Sequence, residues 1–264
     1  MPNKTIIGVA IAIVLVMAIV ITLSFLLPHN SEPEPPEHVE KKSIGMEKIE
    51  VGERIKLPEP IYKSNVSVEE ALSKRRSIRT YSGECLTIEE VSQLLWAAQG
   101  ITSPWGGRTA PSSGALYPLE LYLVVGDVEG IDNGVYKYKP EGHELEKVLD
   151  GDKRGELAKA AVGPNQEHVR DAAINIVFTA VYERTTAKYK TPVYEERTGA
   201  SYLRGIRYVH MEAGHAAQNV YLQAVSLDLG TFVIGAFIDD KVKEVVNAEE
   251  QEEPLYIMPV GRKG

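Results

Sequence analysis

The chain has 264 residues, of which 44% are apolar, and a formal net charge of −8. This length suits one large domain or two small ones, and the apolar content is sufficient for a packed core. The negative charge argues against a nucleic-acid partner, because surfaces that bind nucleic acid are basic. Cys85 is the only cysteine, which excludes an intramolecular disulfide and a cysteine-based metal site. No Cys-His motif accompanies it, which disfavours a cysteine nucleophile.

Residues 6–27 form an uncharged run rich in Ile, Val, Ala and Leu. At about 1.5 Å per residue, a helix of this length spans about 33 Å, enough to cross a bilayer core. A cleaved signal peptide is the rival interpretation, but the run ends without the small-residue cleavage site that such peptides carry. We therefore expect a short tail over residues 1–5 and an uncleaved, single-pass transmembrane helix over 6–27, which would place the protein in a membrane.

The segment between this helix and the domain is expected to be a stalk over residues 28–60. It contains the sequence SEPEPPE, in which proline and like charges keep a chain extended and poorly packed. A structured arm from about Ile44 onward is the alternative. Lys4 lies closer to the apolar run than Lys41 and Lys42 do, which favours a cytoplasmic N-terminus and an extracytoplasmic domain, although the opposite orientation stays open.

The globular domain is expected over residues 61–264. Ser67 and Thr87 each precede a glutamate by three residues, which is the capping-box pattern at the start of a helix. The first helix is expected to run toward Arg75, and the second is expected to stop at Gly100.

A loop rich in glycine, serine and proline is expected over residues 101–118. Beyond it, apolar alternation and turn residues predict the remaining elements. Strands are expected over 119–125, 134–138, 143–148, 172–181, 231–237 and 255–260, and helices over 202–227 and 239–246. Helices and strands interleave without a strict βαβ rhythm, so the expected fold class is α+β, a sandwich of helices around one mixed sheet.

Three segments have the composition of a ligand site, and the first is Arg-Arg-Ser-Ile-Arg at residues 75–79. Arg75 and Arg79 are four residues apart and would share one face of a helix. With Ser77 they would form an anion clamp, because a guanidinium binds phosphate oxygens through a bidentate fork. The alternative is a solvated basic helix end that stabilises the helix dipole.

The second segment, residues 110–118, reads APSSGALYP, and its small residues would let the backbone approach a ligand closely. An ordinary surface loop is the alternative, and the absence of a Gly-x-Ser-x-Gly elbow disfavours a serine nucleophile. The third segment, residues 230–237, reads GTFVIGAF. Its glycine and alanine would permit a flat ligand to lie on the backbone, and a tightly packed strand–helix junction is the alternative.

The order of these three motifs resembles the nitroreductase family over about residues 68–261. The Ser-Gly-Ala-Leu-Tyr-Pro form is similar to that of the SagB/ThcOx-type branch, which includes azoline oxidases of peptide maturation. The resemblance implies a nitroreductase-like mixed-sheet sandwich flanked by helices. It also implies an intertwined homodimer that binds FMN at the dimer interface.

The resemblance further implies which residues contact FMN. The matching positions are Arg75, Arg76, Ser77 and Arg79 for the phosphate and the pyrimidine edge, Pro111, Ser112 and Ser113 for a segment that reaches in from the partner subunit, Gly235 and Ala236 for the backbone facing the redox-active nitrogen, and Arg262 for a further phosphate contact. A guanidinium beside the N1–C2 edge would favour the anionic reduced flavin.

The resemblance is incomplete at the expected catalytic position. Azoline oxidases of this branch use a Lys-Tyr pair just before the long helix, and residues 201–208 lack that lysine. The pair Lys188-Tyr189 lies upstream and would substitute only if the loop were rearranged. Tyr202 and Tyr208 are therefore the candidate acid or orienting groups, with packing at a dimer interface as the alternative.

Three functions stand as hypotheses. The first is an FMN-dependent oxidoreductase that takes electrons from NAD(P)H and reduces a small electrophile such as a quinone or a nitro compound. The second is an azoline-type dehydrogenase that oxidises a modified peptide with oxygen as the acceptor. The third is a non-catalytic, membrane-tethered flavin-binding partner. No metal site is expected, because His210 and His215 are five residues apart and do not share a helical face.

Overall fold

The computed structural model describes residues 49–196 and 199–264. The expected tail, the expected transmembrane helix and residues 28–48 of the expected stalk lie outside the described residues. Within the described ranges, no helix has both the length and the apolarity needed to cross a membrane.

The domain is built around a seven-stranded sheet. Its strands are β1 (Arg54–Lys56), β2 (Leu119–Val125), β3 (Gly134–Lys139), β4 (Glu144–Asp150), β5 (Ile174–Val181), β8 (Leu229–Thr231) and β9 (Glu252–Arg262). They are ordered β1-β4-β3-β2-β5-β9-β8, and every ladder between these neighbours is antiparallel. A mixed sheet was expected from the sequence. In the described part of the chain, the parallel pairing is limited to one isolated bridge between Leu86 and Val128.

The remaining elements are seven helices of the described ranges and a separate hairpin. The helices are α1 (Val68–Lys74), α2 (Ile88–Gln99), α3 (Arg154–Ala160), α4 (Asn165–Asp171), α5 (Tyr182–Thr186), α6 (Arg204–Ser226) and α7 (Asp239–Val246). The hairpin pairs β6 (Pro192–Glu195) with β7 (Ala200–Leu203). Both predicted helix starts are confirmed: Ser67 accepts a hydrogen bond from the Glu70 amide, and Thr87 and Glu90 form a complete capping box.

The sheet buries a different set of side chains on each face, as the two-residue period of a strand requires. On one face, Leu121, Leu123 and Phe178 belong to a core that includes the apolar sides of α2 and α6. On the other face, Tyr122 and Val177 belong to a second core with residues of α3, α4 and α7. The described domain is therefore a three-layer sandwich with α6 lying along one face of the sheet.

The expected strand over residues 231–237 is wrong. Strand β8 ends at Thr231, after which Ile234 makes a single bridge to Ile257. The chain then leaves the sheet because its backbone pairs with the end of α3 instead: the carbonyl of Ala236 accepts from the Val162 amide, and the Ile238 amide donates to the carbonyl of Ala160. Residues 235 and 236 consequently lie on the surface rather than in a strand.

Part of the segment expected as a stalk belongs to the folded domain. Strand β1 pairs with β4, and Leu57, which follows it, is buried in the core. The backbone carbonyl of Ile49 accepts a hydrogen bond from the buried ammonium of Lys147 at 2.8 Å. The domain therefore begins before residue 61.

Candidate functional site

The arginine cluster, defined as Arg75, Arg76 and Arg79, lies on an extended segment after α1. The helix ends at Lys74, and Arg75 is its C-cap with backbone angles outside the helical region. The expectation that Arg75 and Arg79 share a helical face is therefore wrong. They are instead positioned by an extended chain, whose Ile78 amide donates to the carbonyl of Thr231 at 3.1 Å.

Tyr221 of α6 connects this segment to the chain that follows β8. Its hydroxyl lies 3.4 Å from the Ser77 hydroxyl and accepts a hydrogen bond of 2.9 Å from the Val233 amide. The packing is close, because a Cβ at Gly230 would lie only 2.5 Å from Cγ2 of Ile78. A glycine at residue 230 thus allows the arginine segment to lie directly against the chain that leads to Gly235.

Two of the three guanidiniums lie over aromatic rings. The Cζ atom of Arg75 is 5.2 Å from the ring centroid of Tyr221, and that of Arg79 is 4.6 Å from the ring centroid of Phe232. Arg76 is oriented by hydrogen bonds to the carbonyls of Ser73 and Arg75. None of the three forms an ion pair with a carboxylate in the described part of the chain, and Arg76 and Arg79 are exposed. Their charges are therefore available to an external anion.

The backbone at Gly235 and Ala236 is open to a ligand. Both residues are exposed, and no atom lies within 4 Å of the position that a Cβ at Gly235 would occupy. Gly235 is the third residue after Phe232, which lies under Arg79, so the chain between them spans at most about 10 Å. The structure therefore places the Gly235-Ala236 backbone a short length of chain away from the ring under Arg79.

The second predicted segment lies elsewhere. Residues 111–117 form a tight loop in which Ser112 accepts a hydrogen bond from the Tyr117 amide, and Ser113–Ala115 make one 3₁₀ turn. Ser112 faces Glu212 in the first half of α6, whereas the arginine cluster packs on Tyr221. Glu212 and Tyr221 differ by nine positions, which corresponds to about 14 Å of helix. Within one chain, Pro111, Ser112 and Ser113 are therefore separated from the arginine cluster.

Arg108 anchors the base of this loop. Its guanidinium donates to the side chain of Gln99 at 2.9 Å and to Glu141 at 3.4 Å, and it lies 4.5 Å from the ring centroid of Tyr117. Arg108 was not among the predicted site residues. The sequence offers little to single it out, because its partners come from α2 and the β3–β4 turn.

The pair Lys188-Tyr189 lies against the same loop, without any rearrangement. A Cβ at Gly114 would come within 2.8 Å of both Nζ of Lys188 and the hydroxyl of Tyr189. The ring of Tyr189 meets that of Tyr208 edge-on, with the centroids 4.9 Å apart. From the sequence, Lys188 was expected to substitute for the missing lysine only if the loop were rearranged. The fold places it beside the loop of residues 111–117. Lys188 itself is exposed.

The two tyrosines predicted as catalytic candidates have different surroundings. Tyr208 is half-buried and packs on Tyr189, and the Cζ atom of Arg204 lies 5.9 Å from its ring centroid. Tyr202 lies on β7, where its hydroxyl accepts a hydrogen bond of 2.7 Å from Arg207. Of these two tyrosines, Tyr208 is therefore the one that packs against the Lys188-Tyr189 pair.

Arg262 and His210 are engaged in contacts within the domain. Arg262 makes two hydrogen bonds with the carboxylate of Glu90, at 3.0 and 3.1 Å, so its guanidinium is already paired. The side chain of His210 lies 2.6 Å from the Tyr182 hydroxyl. Glu212 is buried and His215 is exposed, so the first side chain faces the interior and the second faces solvent. In the residues that the structure describes, no three potential metal ligands converge.

The sequence matches the model of the nitroreductase family over residues 72–262, which is more than half of the chain. The chain belongs to the nitroreductase family. The matched range includes Arg75 at one end and the last strand at the other. The family assignment therefore covers both the arginine cluster and the loop of residues 111–117.

Individual relatives support this membership. The Methanocaldococcus jannaschii protein MJ1384, whose name assigns it to the nitroreductases, is 47% identical over 198 residues, covering 75% of this chain and 92% of that protein. A crystal structure of a nitroreductase-type protein from Anabaena variabilis superimposes with a TM-score of 0.65 at 34% identity, covering 80% of this chain and 42% of that one. The microcin B17-processing protein McbC of Escherichia coli is 28% identical over 184 residues, covering 67% of this chain and 62% of McbC.

Proposed function

We propose that this nitroreductase-family protein is an FMN-dependent oxidoreductase. The observation that carries the proposal is the arginine cluster, three guanidiniums without carboxylate partners in the described chain, next to the open backbone at Gly235. An exposed group of like charges is costly unless an anion neutralises it, and a flavin phosphate is such an anion. The open backbone at residue 235 would leave room for the ring system of the same molecule.

The residues present fit FMN in the roles that the family resemblance implies. Arg75, Arg76, Ser77 and Arg79 would hold the phosphate and the pyrimidine edge, and a guanidinium at that edge would favour the anionic reduced ring. Gly235 and Ala236 would present their backbone to the ring. When bound, FMN supplies the two-electron redox chemistry, while this chain binds and orients the cofactor and its substrate.

The working unit in this proposal is a homodimer. Ser112 lies about 14 Å along α6 from the arginine cluster of its own chain, so the segment Pro111–Ser113 would serve the flavin held by the partner subunit. The dimer would place each loop of residues 111–117 over the other chain's cofactor. Electrons would come from NAD(P)H and pass to a small electrophilic substrate. A transmembrane helix, expected from the sequence over residues 6–27, would anchor this dimer to a membrane, with the domain on the extracytoplasmic side.

The visible spectrum of the purified protein tests the proposal. The chain with FMN should be yellow, and anaerobic NADH or NADPH should bleach it. The double variant Arg75→Ala/Arg79→Ala should bind FMN at least about 100-fold more weakly, because each charge-assisted hydrogen bond contributes about 1.5–3 kcal/mol. Arg54→Ala is the matched control, since it removes the same type of side chain from β1 at the opposite edge of the sheet. A yellow protein that NAD(P)H never bleaches would exclude that electron donor.

A second candidate is the oxidation of an azoline in a modified peptide, with oxygen as the acceptor. It is favoured by the contact of Lys188 and Tyr189 with the loop at Gly114, and by the similarity to a microcin-processing protein. In this role a lysine amine would act as a general base, and a tyrosine hydroxyl would orient the substrate. Lys188→Ala should abolish azoline oxidation while leaving FMN bound, and Lys190→Ala, an exposed lysine two residues away, is its control. Equal activity of the two variants would remove this candidate.

A further inference from the structure

A buried carboxyl group faces the loop of residues 111–117 from α6. Glu212 is only 2% exposed, and its Oε1 atom has no hydrogen-bond partner in the described residues. A carboxylate in such a site is unfavourable, because burial removes its hydration and no described residue donates to Oε1. An acidic side chain is therefore buried where α6 faces the loop.

The groups around Glu212 do not neutralise it. The Ser112 hydroxyl and the Arg108 guanidinium are the groups that favour its ionised form. The guanidinium of Arg108 is committed to Gln99 and Glu141, and its Nε atom is buried without a partner. Gln99, which reaches this region from α2, is neutral.

The balance of these effects favours the protonated acid. Burial raises the pKa of Glu212 from its ordinary value of 4.5 to about 7, although Ser112 and Arg108 both act to lower it. The carboxyl group is thus neutral in mildly acidic solution and becomes charged as the pH rises through neutrality. Once charged, it requires either entry of water or a movement of Arg108 away from Gln99.

We propose that Glu212 is a positioning residue whose protonated carboxyl group keeps the loop of residues 111–117 packed on α6, and whose ionisation releases that loop. This inference rests on the proposed function. It makes the contact between Ser112 and the flavin of the partner subunit dependent on pH. Pro111–Ser113 are then held for cofactor contact at mildly acidic pH and loosened at alkaline pH. Glu212 acts through Ser112, and it does not itself touch the flavin.

Hydrogen exchange of the full chain, corrected for the intrinsic effect of pH, tests the device without requiring bound flavin. Amides of residues 111–117 should exchange several-fold faster at pH 8.5 than at pH 5.5. In Glu212→Gln, which is neutral at every pH, that dependence should vanish. Glu244→Gln removes an exposed carboxylate from α7 and should keep the behaviour of the unmodified chain.

Two further measurements keep the test decisive. Ser112→Ala, on a half-buried loop position, removes the hydroxyl that favours the ionised acid, so the midpoint of loop loosening should move to higher pH. The infrared band of a protonated carboxyl group should be present at pH 6 in the unmodified chain and absent in Glu212→Gln.

The result for FMN is read separately. Affinity for FMN should fall several-fold more between pH 5.5 and 8.5 in the unmodified chain than in Glu212→Gln, because the pH effect on the FMN phosphate itself is common to both. If FMN does not bind at any pH, the proposed function fails while the exchange data still report on Glu212. If loop exchange has the same pH dependence in the unmodified chain and in Glu212→Gln, the proposal about Glu212 is overturned.

Discussion

Individual cations in this domain have two kinds of surroundings. Two of the three guanidiniums of the arginine cluster lie over aromatic rings, and none of the three has a carboxylate partner in the described chain. Lys137, by contrast, is buried, and its ammonium group lies 2.6 Å from the carboxylate of Glu252. Burial disfavours the charged lysine, but the hydrogen bond to Glu252 and the charge of Glu120 outweigh it and hold the pKa of Lys137 above its ordinary range. The first kind of cation is available for binding, and the second stabilises the fold.

The buried pair gives a stability prediction. Lys137→Ala should lower the free energy of unfolding by about 3–5 kcal/mol, because it leaves the buried carboxylate of Glu252 without its cation. Denaturant unfolding measures this loss, and Lys241→Ala, at an exposed position on α7, should change the value by no more than about 0.5 kcal/mol. The double variant Lys137→Met/Glu252→Gln should recover part of the stability. A loss below about 1 kcal/mol in Lys137→Ala would contradict the account of this pair.

Helices with a capping box or a long apolar pattern were predicted well from the sequence, and two short helices without either were not. The capping box at Thr87 places the start of α2, because the hydrogen bonds that define it lie within four residues. The seven-residue helices α3 and α4 have no side-chain cap, so no local pattern indicates them. The segment of residues 231–237 misleads for the opposite reason. It is apolar like a strand, but its backbone partners lie in a distant helix end.

The capping box of α2 can be tested directly. Thr87→Ala removes the side-chain acceptor of the Glu90 amide, which should reduce the stability of the domain by about 1 kcal/mol. Thr191→Ala, at an exposed position outside the helices, is the matched control and should be nearly neutral. Thermal unfolding of both variants gives the comparison. Identical melting temperatures would show that the cap observed at Thr87 contributes nothing measurable.

At the scale of the whole molecule, the three-layer arrangement could be predicted from the alternation of helices and strands, whereas the contacts that assemble the site could not. The arginine segment, residues 75–79, and the loop of residues 111–117 can be recognised as motifs in the sequence. Their separation along α6, the approach of Lys188 to Gly114 and the burial of Glu212 depend on tertiary packing. The start of the domain was also placed too late, because the three residues of β1 are too few for a periodic pattern.

The early strand gives a prediction about the whole domain. A chain that begins at residue 61 lacks β1, the buried side chain of Leu57 and the carbonyl of Ile49 that accepts from Lys147. It should unfold at a denaturant concentration well below that of a chain beginning at residue 49. Burial of Leu57 alone accounts for about 1.5–3 kcal/mol of this difference. Equal midpoints for the two chains would show that β1 is not an integral part of the sheet.

The central claim is that the arginine cluster binds the phosphate of FMN, and an FMN titration followed by visible absorbance tests it most directly. The account predicts that the unmodified chain and Arg54→Ala bind FMN with similar affinity, whereas Arg75→Ala/Arg79→Ala binds it at least about 100-fold more weakly. The affinities of the three proteins for riboflavin, which lacks the phosphate, should differ much less. Equal affinity of the double variant and the unmodified chain for FMN would contradict the claim.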